Sequence, residues 1–165
     1  VCCTEDENGI NHFHGHPQVG AEMTRKILRR LKFDNDTIQK VTALIRSHDD
    51  RPPLTERAIR RAIFRNGIEQ YPELFDVKRA DILAQSSFLQ QEKLLYVDRY
   101  EHMYRQILEK KQCFSLKDLA VNGSDLIAKG IKPGKEIGSI LHEMLEKVLE
   151  EPELNEKDKL LKLIP

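Results

Sequence analysis

The apolar residues of this chain recur every three or four positions, and that spacing commits it to helices. Val19, Met23, Ile27 and Leu31 follow one another along one face. Ile38, Val41, Leu44, Ile45 and His48 share the face of a second helix, and Ala58, Ile59, Ala62 and Ile63 that of a third. Leu74, Val77, Asp81, Ala84 and Phe88 make a fourth stripe with a carboxylate in its middle. Leu94, Val97, Tyr104, Ile107 and Leu108 lie in a stretch, 90–112, that has neither Pro nor Gly. The punctuation agrees. Pro17 suits a first helical turn, Asp34-Asn35-Asp36 and Thr55 offer caps, and Pro52-Pro53 and Asn66-Gly67 break the chain. No stretch alternates as a strand should. The expected fold is all-α.

The composition changes near Cys113-Phe114. Beyond it, Ser115 and Asp118 form a Ser-x-x-Asp capping box that predicts a short helix. A second short helix is expected over 124–129, ending at Gly130. Pro133 then opens a longer helix with Ile137, Ile140, Leu141, Met144, Leu145, Val148 and Leu149 inward. Pro152 ends it, and Asn155 is expected to cap a last helix reaching about Ile164. Two domains follow from this reading: a helical body over 1–112 and a small helical tail over 113–165.

Thirty-nine per cent of residues are hydrophobic and 33% charged, a balance of folded rather than disordered chains. No apolar run is long enough to cross a bilayer, and no signal-peptide pattern opens the chain. The first residue, Val1, reads as a cut inside a longer gene product. Of three cysteines, Cys2 and Cys3 are adjacent and Cys113 stands alone. That is neither a disulfide framework nor a zinc pattern, and a cytoplasmic, reducing setting is expected. Net charge is zero, yet 24–65 holds twelve basic against five acidic residues, and 136–159 eight acidic against three basic. The basic front could hold phosphates, or simply present solvated helix faces.

Three features could carry chemistry. His12, His14 and His16 form a short tract; imidazoles bind metals, but on these residues alone a loop with one useful histidine is the better account. His48 and Asp81 sit on apolar stripes. A carboxylate there is costly unless paired or metal-bound, so Asp81 has bland partners in Lys78 or Arg79 and functional ones in His16 and His48. Two imidazoles and one carboxylate are too few to hold a catalytic metal securely. Finally, Gly130-Ile131-Lys132-Pro133-Gly134-Lys135-Glu136-Ile137-Gly138 places two lysines at a helix start, which suits a phosphate or a tight turn equally.

Together these features resemble a known family. His14-Gly15-His16-x-x-x-Gly20-Ala21, Ile45-Arg46-Ser47-His48-Asp49 and Lys78-Arg79-Ala80-Asp81-Ile82-Leu83-Ala84-Gln85 follow the order of HD-type domains. They look most like the region attached to bacterial CCA-adding tRNA nucleotidyltransferases and their poly(A)-polymerase-like relatives. Asn122-Gly123-x-Asp125-Leu126-Ile127-x-x-Gly130-Ile131-x-Pro133-Gly134-x-x-Ile137-Gly138 resembles the tRNA-binding tail of those enzymes. The His-Asp dyad of HD domains is missing, and His48-Asp49, followed by Asp50-Arg51-Pro52, is not that dyad. The nucleotidyltransferase head, with its Gly-Ser loop and paired aspartates, is missing too.

The resemblance implies an incomplete HD-like body followed by a tRNA-binding tail. His16, His48 and Asp81 would be the remnant of a metal site that holds a divalent ion weakly. The absent head would use Mg2+ with CTP and ATP, leaving this chain inactive alone and without a cofactor of its own. The partner would be tRNA, met by Arg25, Arg29, Arg30, Arg57, Arg60 and Arg61 in the body and by Lys132 and Lys135 in the tail. No membrane is expected, and a homodimer could form through a bared apolar face. The alternatives are a fragment of a metal-dependent HD-superfamily phosphohydrolase and a helical interaction module without chemistry.

Overall fold

A computed structural model describes residues 2–5, 11–110 and 112–164. Among them are a two-stranded hairpin, β1 (Cys2–Glu5) and β2 (Asn11–His14), and eight α-helices. These are α1 (His16–Arg30), α2 (Asn35–Ser47), α3 (Glu56–Asn66), α4 (Tyr71–Ala84), α5 (Gln90–Glu109), α6 (Gly123–Ala128), α7 (Lys135–Glu150) and α8 (Lys157–Leu161). Single 3-10 turns lie at Ile68–Gln70, Leu116–Asp118 and Pro152–Leu154. No helix among the described residues is long and apolar enough to cross a membrane.

The chain is predominantly helical, as the periodicity requires, and the hairpin is the departure from it. β1 and β2 pair antiparallel, with Thr4 opposite His12 and Cys3 opposite Phe13. The Thr4 hydroxyl meets His14 Nε2 at 2.8 Å across the pair. Neither strand alternates apolar with polar residues, so backbone pairing rather than a buried face defines it.

Local signals set the helix ends. Asp34 caps α2, one carboxylate oxygen accepting from the Thr37 amide (2.8 Å) and the other from its hydroxyl (2.6 Å). Thr55 caps α3, which stops at Gly67, a residue with φ of 82°. Asn122 and Asp125 form a reciprocal capping box at α6. Two expectations fail here. Ser115 and Asp118 form no capping box: the Ser115 hydroxyl donates to the Asp118 carboxylate (2.8 Å), and the pair opens a single 3-10 turn rather than an α-helix. Asn155 does not cap α8, which starts after Glu156. The Asn155 side chain instead accepts from the Ala120 amide and donates to the Asp118 carbonyl, at 2.8 and 2.9 Å.

The chain divides into two compact units: residues 1–51 with 69–98, and residues 52–68 with 99–165. In the first, α1 packs along α2, and α2 touches α4. The face of α1 that meets α2 is not the expected one. Ala21 is buried and Gly20 is close enough that an added Cβ would stand 3.4 Å from Ile45. Val19, Met23, Ile27 and Leu31 are exposed. Small residues let the two helix backbones approach, and that outweighs the apolar stripe. Tyr71, Leu74, Phe75, Ile82 and Val97 form the interior of this unit, with the Tyr71 and Phe75 rings 5.6 Å apart.

In the second unit, Cys113, Leu119, Val121, Leu126, Met144, Leu145, Val148, Leu149 and Leu160 form an apolar cluster. It gathers α6, α7 and α8, and α3 packs on α7. Burial, helped by Asp118, pushes the Cys113 thiol up to about 11 from 9.0. The folded chain therefore keeps a proton that the unfolded chain releases. Stability from this thiol is complete below pH 9 and is lost as pH rises through 11. In urea melts across that window, the native chain should weaken more steeply than Cys113→Val, which fills the site without titrating. Parallel pH profiles would contradict the assignment.

Candidate functional site

The first unit brings His16 and His48 into contact. Gly15, with φ of 75°, turns the chain out of β2 and into α1, which places His16 in the first helical turn. His48 follows the last turn of α2. Their Nε2 atoms are 3.0 Å apart, and the rings meet edge to face with centroids 5.0 Å apart. Each Nδ1 faces a backbone carbonyl: Phe13 for His16 (2.8 Å) and Ile45 for His48 (2.6 Å). A carbonyl only accepts, so both Nδ1 atoms carry protons. The neutral rings then turn two lone pairs toward each other.

A metal centre needs more than this pair. Asp81 shares with His48 the lining of a cleft, and its Oδ2 accepts from the Gln85 amide at 2.7 Å. Among the described residues, no three His, Cys, Asp or Glu side chains gather closely enough to hold a metal ion. Two imidazoles leave a catalytic metal short of ligands. The residues present therefore do not fit a complete metal centre. His14 meets the Thr4 hydroxyl, and the His12 side chain lies outside the described residues.

Lys78 organises this region. It is only 4% exposed, and its ammonium donates to the carbonyls of Ser47 (3.3 Å), His48 (2.7 Å) and Asp50 (2.5 Å). It thereby closes the end of α2 and fixes the backbone that carries His48. The sequence reading made Lys78 a neighbour of Asp81 and missed this role. The signal was its position on the stripe Tyr71, Leu74, Phe75, Lys78, Ile82, all of them buried.

The six arginines expected to meet RNA fall into two groups. Arg25, Arg29 and Arg30 are exposed on α1 and make no ion pair among the described residues. Arg57, Arg60 and Arg61 lie on α3 in the second unit. Arg57 and Arg61 both bond Glu150 of α7, and Arg61 also pairs with Glu146. Arg60, 5% exposed, donates from Nε to Leu149 O (2.7 Å), from Nη2 to Glu150 O (3.1 Å), and from Nη1 to Glu56 (3.2 Å). It serves the carboxyl end of α7 as Lys78 serves α2. Lys132 and Lys135 are exposed where the chain enters α7, beside Gly134 with φ of 159°. The helix begins at Lys135, two residues beyond Pro133.

A mostly helical chain with an imidazole pair between its first two helices and an exposed Gly-Lys entry to α7 belongs to a class defined by its relatives. A family model described as "tRNA nucleotidyltransferase domain 2 putative" matches residues 4–164, and the chain belongs to that family. It is 32% identical over 143 residues to a CC-adding tRNA nucleotidyltransferase of Thermus thermophilus, covering 86% of this chain and 31% of the relative. It is 28% identical over 145 residues to an A-adding tRNA nucleotidyltransferase of Deinococcus radiodurans, covering 86% of this chain and 32% of the relative. The chain thus spans about a third of the length of these curated relatives. No solved structure matches it.

Proposed function

We propose that this chain is the body and tail with which a longer tRNA nucleotidyltransferase holds tRNA for addition at the 3′ end. The nucleotidyl transfer from CTP and ATP, with Mg2+, belongs in this reading to a head outside the chain. The tail, 113–165, and the front of the body would each meet RNA. The observation that carries the reading is the family match over 4–164, joined to exposed, unpaired cations on α1 and at the start of α7. Helical RNA is gripped mainly through shape and phosphates, which suits arginines and lysines free of carboxylate partners. Among the described residues, Arg25, Arg29, Arg30, Lys132 and Lys135 meet that requirement. Arg57, Arg60 and Arg61 are engaged by carboxylates and carbonyls, and the proposal gives them a structural part.

Lys132→Ala combined with Lys135→Ala should weaken tRNA binding by roughly three- to ten-fold and lower the salt dependence by about two phosphate contacts. Titrations at two salt concentrations check this, and an unchanged affinity at both would remove the tail assignment. The second reading, a metal-dependent phosphohydrolase, draws on the His16–His48 contact alone. Stoichiometric, tightly held transition metal in the purified chain would favour it over tRNA holding.

A further inference from the structure

The first unit contains a cleft that the tRNA reading does not use. Its walls come from the end of α2 (His48, Asp49, Arg51), from α4 (Lys78, Asp81, Ile82) and from α5 with the loop before it (Leu89, Glu92, Lys93, Tyr96, Val97). Ile82 and Val97 are buried and give it an apolar floor, beside the half-buried ring of Tyr96. The lining charges balance: Arg51, Lys78 and Lys93 against Asp49, Asp81 and Glu92. Lys93 donates to Gln85 at 3.0 Å and Gln85 donates to Asp81 at 2.7 Å, so one wall is a braced row of polar groups. Arg51 bonds Asp49 at 3.2 Å on another. Leu89, half-exposed at the mouth, has φ of 52°, a left-handed conformation that costs a leucine about 1–2 kcal/mol.

We propose that this cleft binds a nucleobase, taken by its flat face on the apolar floor and by its edge on the polar rim. The chemistry selects among ligand classes. A phosphate would face three carboxylates, and two of the three cations already have carbonyl or amide partners. A purely aliphatic ligand would strip water from the partly exposed charges of the rim and give nothing in return. A base offers donors and acceptors around one ring and an apolar face, which is what the two surfaces together require. Burial and the Asp50 charge push the Tyr96 phenol up to about 12, so its hydroxyl stays protonated. The base could belong to a free nucleoside or to an unpaired position of RNA. Only the RNA source rests on the tRNA reading.

The test is an NMR titration of the whole chain with adenosine, with cytidine and with ribose 5-phosphate. Saturable shifts confined to Ile82, Leu89, Tyr96 and Val97, caused by the nucleosides and not by ribose 5-phosphate, are expected. Leu89→Gly suits the left-handed backbone and removes the side chain at the mouth. It should weaken nucleoside binding roughly five-fold without changing the fold. No saturable shift, an equal response to ribose 5-phosphate, or full affinity in Leu89→Gly would each overturn the proposal. Adding intact tRNA separates the sources. Loss of the nucleoside shifts places an RNA base in the cleft. Shifts that persist while tRNA is bound assign the cleft to free nucleosides and leave the tail's role standing.

Discussion

Replacing Lys78 with methionine should cost the folded chain on the order of 3 kcal/mol in urea denaturation at neutral pH. Methionine keeps the apolar stem and removes the donor. The carbonyls of Ser47, His48 and Asp50 then lose a shared partner where the side chain that served them is buried. The end of α2 should fray, and His48 should move off His16. The same residue gives a pH signature. Burial lowers the Lys78 ammonium to about 8 from 10.5, against the pull of Asp50 and Asp49. Between those values the unfolded chain binds a proton that the folded chain does not, so stability rises with pH. The contribution is complete above 10.5 and lost as pH falls through 8. The gap between native chain and Lys78→Met should therefore widen by on the order of 2–3 kcal/mol across that window. A gap of constant size would mean that Lys78 keeps its ordinary affinity for protons.

Arg60→Met should destabilise the second unit by about 3–4 kcal/mol. The guanidinium holds the last carbonyls of α7, Leu149 and Glu150, while Glu56 holds the guanidinium. Loss of the cation leaves those carbonyls unpaired and Glu56 with Lys110 as its remaining cation. Hydrogen exchange should report the damage locally, as lost protection in the final turn of α7 before global unfolding. Arg60→Lys carries the charge without the planar fork, and it should recover less than half of the loss. Full stability in Arg60→Met would show that the network is ornamental and would return Arg60 to the set of residues that could meet RNA.

Much of the architecture was legible because its signals are local. Asp34, Thr55 and Asn122 announce helix starts through bonds within three residues, and Gly67 announces a stop. What periodicity could not say is which face is covered. Val19, Met23, Ile27 and Leu31 make a regular stripe, yet Gly20 and Ala21 take the interior because close helix packing needs small side chains more than large ones. The hairpin escaped because neither strand alternates apolar with polar residues. At the candidate site, the meeting of His16 with His48 followed from motif order, and the position of each on its own helix is visible in the sequence. The roles of Lys78 and Arg60 were not read. Both are cations on inward stripes, Lys78 with Leu74, Phe75 and Ile82, and Arg60 with Ile59, Ala62 and Ile63. Their partners are backbone carbonyls about thirty and ninety positions away, which no local pattern encodes.

The reading as a tRNA holder meets its most direct test in a filter-binding titration of this chain with deacylated tRNA at about 50 and about 200 mM salt. Saturable binding at the lower concentration, at least ten-fold weaker at the higher and poorly competed by double-stranded DNA, is the predicted result. A chain that is fully helical by circular dichroism and leaves tRNA unbound at low salt, or that takes DNA equally well, would contradict it.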